Sequence, residues 1–368
     1  MPAKLPEKLS IIWSVPTSAP GLGGVAATDQ YVLFSDRELN DTTDVLHCLE
    51  IETGKIVWSY RNPAIGLLDY GSSSRATPLI VDDKVYFHNA YGWLACLELP
   101  TGKTVWEMDT RAEFMATDER KWGTCSSPLI VDNKLIINPG GKEASIVALN
   151  PKSGKVIWKT PGRPASYGSL NAAKIGPTLQ IVGMDETSLC GWDVATGKLL
   201  WELRPETASK FNVSTPIIRN QQLILALENN GTSVFQFDKN GKIISKPIGW
   251  HRDLSPESHT PVLAGARLFG IWHRLYCLDL NNKLNEVYDS DDPAFSDYGA
   301  TVATDERVLI ITGKAELILL DPKADKFQPI SRVKIVEDEK GLYSHPAFVG
   351  TRMYVRTSTQ MMAIELQE

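Results

Sequence analysis

A short phrase recurs four times along this chain and constrains its fold more than any other feature. Each copy has Thr-Gly-Lys or Ser-Gly-Lys three residues before a tryptophan. The copies occupy residues 49–58, 97–106, 149–158 and 193–201. Self-similarity at a period of roughly 45 residues indicates a stack of similar supersecondary units.

One unit, residues 127–160, shows what the repeat contains. Short apolar runs at 128–131, 134–138, 145–149 and 156–158 are separated by Asn, Asp, Gly and Pro. Runs of this length and composition predict strands joined by tight turns. No stretch of eleven or more residues has the apolar spacing of a helix without Gly or Pro. Four short strands per unit predict the antiparallel blade of a β-propeller.

Counting first strands gives eight blades. The predicted starts are Val25, Pro78, Pro128, Ala173, Pro216, Pro261, Thr301 and Pro346. The last unit ends after its third strand, and Leu9–Val15 offers the missing fourth, with Trp13 in step with the tryptophan column. We therefore predict an all-β, eight-bladed propeller, one domain over residues 1–368, whose last blade is closed by Leu9–Val15 and leaves no open edge.

The repeated tryptophan and its turn have a structural interpretation. A large aromatic on an outer strand can pack over the turn of a neighbouring blade. Three of the five cysteines, Cys48, Cys96 and Cys277, stand at equivalent third-strand positions. We predict that these three are small buried core residues rather than metal ligands.

Composition excludes several classes of function. The net charge is −6 and no run of Lys or Arg exceeds two residues, so the chain lacks the basic footprint of a nucleic-acid-binding protein. No apolar stretch approaches the roughly 18 residues of a membrane span. Residues 1–8 are polar and do not form a signal peptide.

The repeat resembles that of the pyrroloquinoline-quinone (PQQ) propeller superfamily. The matching phrase is Ala-Leu-Asp-x-x-Thr-Gly-x-x-x-Trp, represented here by residues 96–106 and 148–158. Eight-bladed members include quinoprotein dehydrogenases and the propeller lipoprotein of the outer-membrane β-barrel assembly machinery. Most members are exported, so the resemblance implies a periplasmic or secreted protein.

The resemblance also bears on cofactors. Quinoprotein dehydrogenases usually carry two adjacent cysteines near PQQ, with Glu, Asn and Asp ligands for calcium. This sequence has no adjacent cysteine pair. We therefore expect neither PQQ nor another cofactor and assign no metal ligands. Calcium or another divalent metal remains an alternative, because histidines and Glu257 could converge on one ion.

Loops that enter the first strand and loops between the second and third strands share one face of a propeller, where ligands usually bind. Histidine can move protons and arginine can clamp an anion, so a set of these residues with a tyrosine suits catalysis. The catalytic candidates are His259, His345, Tyr298 and Arg75. The ligand-binding candidates are His88, Trp122, Tyr167, Asn171, His273 and Arg356.

Two functions from different classes follow. The first is a non-catalytic binding or scaffold propeller, a monomer, that holds a protein segment or a glycan on its loop face. The second is a carbohydrate-active enzyme, lyase-like or hydrolase-like, that uses His, Arg and Tyr at the mouth of the central channel. A PQQ-dependent dehydrogenase is a lesser alternative. Repeats alone do not choose between them, because fold does not imply function.

Overall fold

A computed structural model describes residues 1–117, 120–337, 339 and 341–367. The chain forms eight four-stranded antiparallel sheets, arranged as the blades of a β-propeller, which confirms the predicted fold. The contacts divide it into two compact units of four blades each. Strands are numbered in chain order.

The first unit comprises residues 9–165 and 339–367 and contains blades 8, 1, 2 and 3. Its strands are β1 (Ser10–Pro16), β2 (Ala26–Ala27), β3 (Tyr31–Arg37), β4 (Thr43–Glu50), β5 (Ile56–Pro63), β6 (Leu79–Val81), β7 (Lys84–His88), β8 (Trp93–Glu98), β9 (Thr104–Asp109), β10 (Leu129–Val131), β11 (Lys134–Ile137), β12 (Ile146–Leu149), β13 (Val156–Thr160), β30 (Ala347–Val349), β31 (Arg352–Arg356) and β32 (Gln360–Glu365). Its single short helix, α1, covers Thr110–Glu113 and is capped by the Asp109 side chain.

The second unit comprises residues 1–8 and 166–337 and contains blades 4 to 7. Its strands are β14 (Asn171–Ile175), β15 (Thr178–Met184), β16 (Leu189–Asp193), β17 (Leu199–Leu203), β18 (Ile217–Arg219), β19 (Gln222–Leu227), β20 (Gly231–Gln236), β21 (Gly249–His251), β22 (Val262–Ala264), β23 (Arg267–Ile271), β24 (Leu275–Asp279), β25 (Asn285–Ser290), β26 (Gly299–Ala303), β27 (Val308–Thr312), β28 (Glu316–Leu320) and β29 (Pro329–Lys334). Two 3-10 turns, Leu280–Asn282 and Pro293–Phe295, complete it.

The first strands begin close to their predicted positions. In six blades the strand starts one residue after the predicted start, and five of those starts are prolines. Proline has no N–H to give to the ladder, so pairing begins at the next residue. Blades 4 and 7 carry Ala173 and Thr301 instead, and there pairing begins two residues earlier.

The predicted N-terminal strand closes the last blade. Strand β1 pairs antiparallel with β32, from Ser10 opposite Glu365 to Pro16 opposite Gln360. The strand is therefore Ser10–Pro16, one residue later than the predicted Leu9–Val15. Because this strand covers the edge of β32, the order of blade 8 is β1-β32-β31-β30.

Three tryptophans of the first unit lie on the glycine turn of the following blade. The indole N–H of Trp13 donates to Ile51 O at 2.8 Å, that of Trp58 to Leu99 O at 2.7 Å, and that of Trp106 to Pro151 O at 2.8 Å. Each ring occupies the space where a Cβ would stand on Gly54, Gly102 or Gly154. The repeated phrase therefore joins neighbouring blades, as expected from the sequence.

Apolar cores fill the spaces between neighbouring blades. Between blades 1 and 2, fully buried Leu33, Cys48, Phe87 and Leu97 belong to one cluster. The three cysteines predicted to be buried, Cys48, Cys96 and Cys277, have no exposed surface, which confirms that they are core residues.

Outer strands carry a β-bulge at the residue before the tryptophan column in seven of the eight blades. The extra residues are Ile12, Val57, Val105, Ile157, Leu200, Val287 and Ile330. A bulge disrupts the ladder and twists the edge, which discourages pairing with another chain. Blade 5 differs, because its outer strand β21 has three residues and follows an interruption at residues 245–248.

Candidate functional site

A large open cavity lies at the loop face of the second unit. It is an open groove of about 1010 Å³. Two loops that enter first strands and two loops between second and third strands surround it. These loops contribute residues 204–207, 252–257, 228–230 and 272–274. The antiparallel order of the strands places all four loops at the same end of blades 4 to 6.

The floor of the groove is apolar. It contains Leu203 at the end of β17, Leu227 at the end of β19, Phe235 in β20 and Tyr276 in β24. Leu227 and Phe235 are nearly buried, at 3% and 7% exposure. A ligand seated here would therefore cover carbon atoms below and meet polar loops at the rim.

Trp250 is the most exposed large aromatic in the groove. Its side chain is 54% exposed although it lies in β21. The indole N–H donates to Asn230 O at 3.0 Å, and the backbone N–H donates to Lys283 O at 3.2 Å. The indole bond orients the ring, so its exposed face offers a platform for stacking or for a cation.

Hydrogen bonds join the loops around the groove to one another. The side chain of Asn230 accepts from Thr207 N at 2.9 Å and donates to Thr207 O at 3.0 Å. The hydroxyl of Ser255 donates to Leu227 O at 2.9 Å. A groove with loops tied in this way loses little conformational freedom when a ligand binds.

The charges around the groove are unevenly compensated. Two of its three arginines are already paired, since Arg204 lies 2.9 Å from Glu202 and Arg274 pairs with Asp289. That pairing raises the pKa of Arg274. Among the described residues, the exposed carboxylates Glu206 and Glu257 have no ion-pair partner. Together with Asp253 and Glu228, they give the rim a net negative character.

One of the predicted site residues lines this groove. His273 stands in the loop between β23 and β24, with an exposed side chain and a left-handed backbone (φ 56°). Its ring lies 4.2 Å from that of Trp272, centroid to centroid. It is available to a ligand in the groove.

The other predicted residues of the second unit do not line the groove, and His259, Tyr167 and Asn171 lie at blade-to-blade contacts. His259 is 6% exposed, and its Nδ1 lies 2.8 Å from Gly299 O. Gly299 follows Tyr298, a half-buried residue whose pKa is raised by burial. The Tyr167 ring packs 5.6 Å from that of Phe211. The amide of Asn171 donates to Pro216 O at 3.2 Å.

In the first unit, Arg75 and His88 are turned toward the protein. The Arg75 guanidinium donates to the carbonyls of Ser73, Asp69 and Gly71, and burial lowers its pKa. His88 is 1% exposed, with Nε2 3.2 Å from the Thr110 hydroxyl. Burial, and then the charge of Arg120, lower the pKa of His88 to about 3.

The remaining predicted residues of the first unit differ in exposure. The His345 side chain is exposed, and its carbonyl accepts from Val25 N at 2.9 Å. Trp122 is half-buried, and its carbonyl accepts from the Cys125 thiol at 3.3 Å.

Arg356 is fully buried at the end of β31. Its guanidinium lies 3.0 Å from Asp36 and also donates to the carbonyls of Ala19 and Ser35. Burial lowers its pKa to about 10. The arginine ties blade 8 to blade 1, and the absence of a Cβ on Gly21 leaves room for it.

Sequence reasoning missed Trp250, Trp272 and Arg252 as groove residues. A signal for Trp250 was present in blade 5, where the turn at 238–242 is followed by Ile243 and Ile244, and a tryptophan appears only at 250. In blade 5, Gly249 pairs with Val234 at the place that the column tryptophan takes in other blades. Trp250 stands one residue beyond the column and is exposed to a ligand.

Metal-binding side chains do not cluster in the described part of the chain. No group of three or more His, Cys, Asp or Glu residues there is placed to hold one ion. The five cysteines are reduced and lie apart from one another along the sequence. No described helix is long and apolar enough to cross a bilayer.

A scan against family profiles matches residues 9–88 and 67–285, which together exceed half of the chain. The profile is described as outer membrane protein assembly factor BamB. The chain belongs to this family. No curated protein matches the sequence.

Solved structures share the propeller fold of the BamB family at low identity. BamB from Moraxella catarrhalis is 15% identical, with a TM-score of 0.65 and 98% of each chain covered. Quinohemoprotein alcohol dehydrogenase from Comamonas testosteroni is 13% identical, with a TM-score of 0.69, and covers 98% of this chain and 77% of its own. A europium-containing methanol dehydrogenase is 11% identical, with a TM-score of 0.69 and coverage of 97% and 93%. At these identities the likeness shows the fold alone.

Proposed function

We propose that this protein is a non-catalytic binding propeller that holds an extended protein segment in the groove of blades 4 to 6. The observation that carries the proposal is the exposed, hydrogen-bonded Trp250 above an apolar floor. The family description, which names an assembly factor, supports a protein as the partner and an extracytoplasmic location.

The charge of the rim selects among protein segments. Glu206 and Glu257 have no ion-pair partner among the described residues, whereas Arg204 and Arg274 are ion-paired. Arg252 is the one groove arginine without an ion pair in the described part of the chain, so the carboxylates of the rim outnumber its unpaired cations. A segment with Lys or Arg would meet these carboxylates, and one of its cations or apolar side chains would cover Trp250. We therefore propose a basic segment with interspersed apolar residues.

A peptide-display selection on the purified chain tests this proposal. We expect enrichment of Lys, Arg and apolar residues. For a selected peptide, we expect Trp250→Ala to raise the Kd at least tenfold, since a central aromatic anchor usually contributes about 2 kcal/mol or more. The double variant Glu206→Lys/Glu257→Lys should weaken binding further at low salt. Glu143→Lys, an exposed position outside the groove, is the matched control and should leave the Kd unchanged.

Two outcomes would overturn the proposal. One is a selection that yields no peptide, or peptides that bind Trp250→Ala as well as the natural chain. The other is saturable binding of an oligosaccharide, on a glycan array run in parallel, that depends on Trp250 and excludes peptides. The second result would assign the platform to a sugar ring instead.

A further inference from the structure

A second surface, in the first unit, exposes large apolar side chains at the tips of three loops. Leu39 is 88% exposed, Ile65 76%, Leu67 85%, Tyr70 77% and Met115 67%. We call these five residues the loop-tip surface. They come from the loop between β3 and β4, the loop between β5 and β6, and the loop after α1. Such exposure in several neighbouring residues is typical of an interaction site.

Hydrogen bonds hold the three loops together. Ala64 N donates to Thr42 O at 2.9 Å, which joins the first loop to the second. Asp69 N donates to Lys121 O at 2.9 Å, which joins the second loop to the third. The apolar side chains therefore project from one connected platform.

The backbone of the second loop turns its carbonyls toward protein donors. Arg37 donates to Ala64 O at 2.8 Å and Tyr91 to Gly66 O at 2.8 Å. Arg75 donates to Asp69 O at 2.7 Å and to Gly71 O at 2.6 Å. These four carbonyls already have protein donors, which lowers the cost of moving this part of the loop away from water, because each unpaired group would cost several kcal/mol.

Backbone conformation marks the same tips. Tyr70 has φ 62° and Met115 has φ 51°, both left-handed. A bulky non-glycine residue in this region is an outlier that the surrounding contacts must maintain. Both side chains therefore project outward from backbone of a conformation that bulky residues seldom adopt.

The loop-tip surface has almost no net charge. Residues 64–74 contain one charged side chain, Asp69, and residues 111–121 contain three cations and three anions. In the first loop, Asp41 pairs with Arg37 at 2.5 Å and Glu38 with Arg61 at 2.7 Å. Because these charges are paired or cancel in sum, a partner of strong charge of either sign gains little net attraction, whereas an electrically neutral apolar phase can cover the five side chains.

We propose that the loop-tip surface inserts shallowly into a zwitterionic lipid bilayer. The side chains project as separate tips rather than lining a recess, which suits the deformable boundary between headgroups and acyl chains. Tyrosine is a favoured residue at that boundary. This inference is independent of the proposed function, because it concerns different loops in the other unit.

Co-sedimentation with phosphatidylcholine vesicles tests the inference. We expect the intact chain to bind reversibly, with little change between 0.1 and 0.5 M salt because the tips are uncharged. The variant Leu39→Ser/Ile65→Ser/Leu67→Ser should lower the partition coefficient at least about tenfold, since it removes three apolar side chains from the contact. Its thermal unfolding should match that of the natural chain, because all three side chains are exposed.

A matched control removes exposed apolar residues elsewhere in the same unit. Ile56→Thr/Val105→Thr/Ile157→Thr alters outer strands at positions that are 53%, 41% and 46% exposed and keeps the β-branched shape. It should bind vesicles like the natural chain. The inference is overturned if the natural chain stays in the supernatant, if both triple variants bind alike, or if sedimentation velocity shows a dimer that only the loop-tip variant dissociates.

Discussion

At the scale of single residues, several side chains predicted to bind a ligand make hydrogen bonds or ion pairs within the protein. Arg356 lies beside Asp36, 320 positions away along the chain. The sequence placed this arginine on a loop-face strand end but could not show which charge from another blade would meet it. Removing one partner of such a buried pair usually costs about 3–5 kcal/mol, because the other charge is left uncompensated.

His88 gives a pH-dependent prediction at this scale. Burial lowers its folded pKa to about 3, so the unfolded state takes up a proton near its ordinary value of about 6.5 while the folded state does not. The neutral, buried His88 therefore makes its full contribution to stability above pH 6.5. As the pH falls toward 3, the free energy of unfolding decreases by about 1.4 kcal/mol per pH unit.

The variant His88→Gln isolates this effect, since glutamine keeps an N–H donor but does not titrate. From urea unfolding at pH 7 and pH 5, we expect the stability advantage of the natural chain over the variant to shrink by about 2 kcal/mol. Stability curves that stay parallel over this interval would show that the folded His88 titrates normally.

At the scale of elements, the outer-strand tryptophan and the glycine turn of the next blade act as one joint. The sequence predicted this packing because both halves of the joint recur in the repeated phrase. It did not predict the bulge in the outer strand before the tryptophan column. A bulge depends on which residues pair between strands, and the repeated phrase does not give that register. Blade 5 lacks both features, and it lines the groove.

Gly102→Ala tests the joint. A Cβ at Gly102 would stand 2.6 Å from the Trp58 ring, on a backbone with φ 68°. Gly350→Ala is the matched control, with φ 59° and nothing within 4 Å of the new Cβ. In both variants the free energy of unfolding should fall by about 1 kcal/mol, because alanine is strained in a left-handed backbone. Gly102→Ala should lose about 1–3 kcal/mol more, because its methyl group overpacks against the Trp58 ring. Equal losses in urea unfolding would show that the ring does not depend on the missing Cβ.

At the scale of the whole molecule, the number of blades and the N-terminal closing strand could be predicted from the sequence. The repeat period and the missing fourth strand of the last unit are both visible in the order of the residues. The groove did not follow. Its shape depends on the exposed Trp250 and on loops whose length and sequence differ from one repeat to the next. The loop-tip surface was also missed, because Ile65, Leu67 and Tyr70 look like ordinary strand or core residues until their exposure is seen.

The two surfaces lie in different units, and we propose different partners for them. The groove of blades 4 to 6 has a negative rim and an aromatic platform, whereas the loop-tip surface of the first unit is neutral and apolar. We therefore expect variants of one surface to leave binding at the other unchanged, since sites without shared contacts act additively.

Hydrogen exchange of the full chain, with and without a saturating selected basic peptide, tests the central claim most directly. Bound peptide should slow amide exchange in residues 204–207, 228–231, 250–257 and 272–274, and leave residues 64–72 unchanged. Protection that falls outside these segments, or a bound peptide that changes no exchange rate in them, would contradict the assignment of the groove as the site for a protein segment.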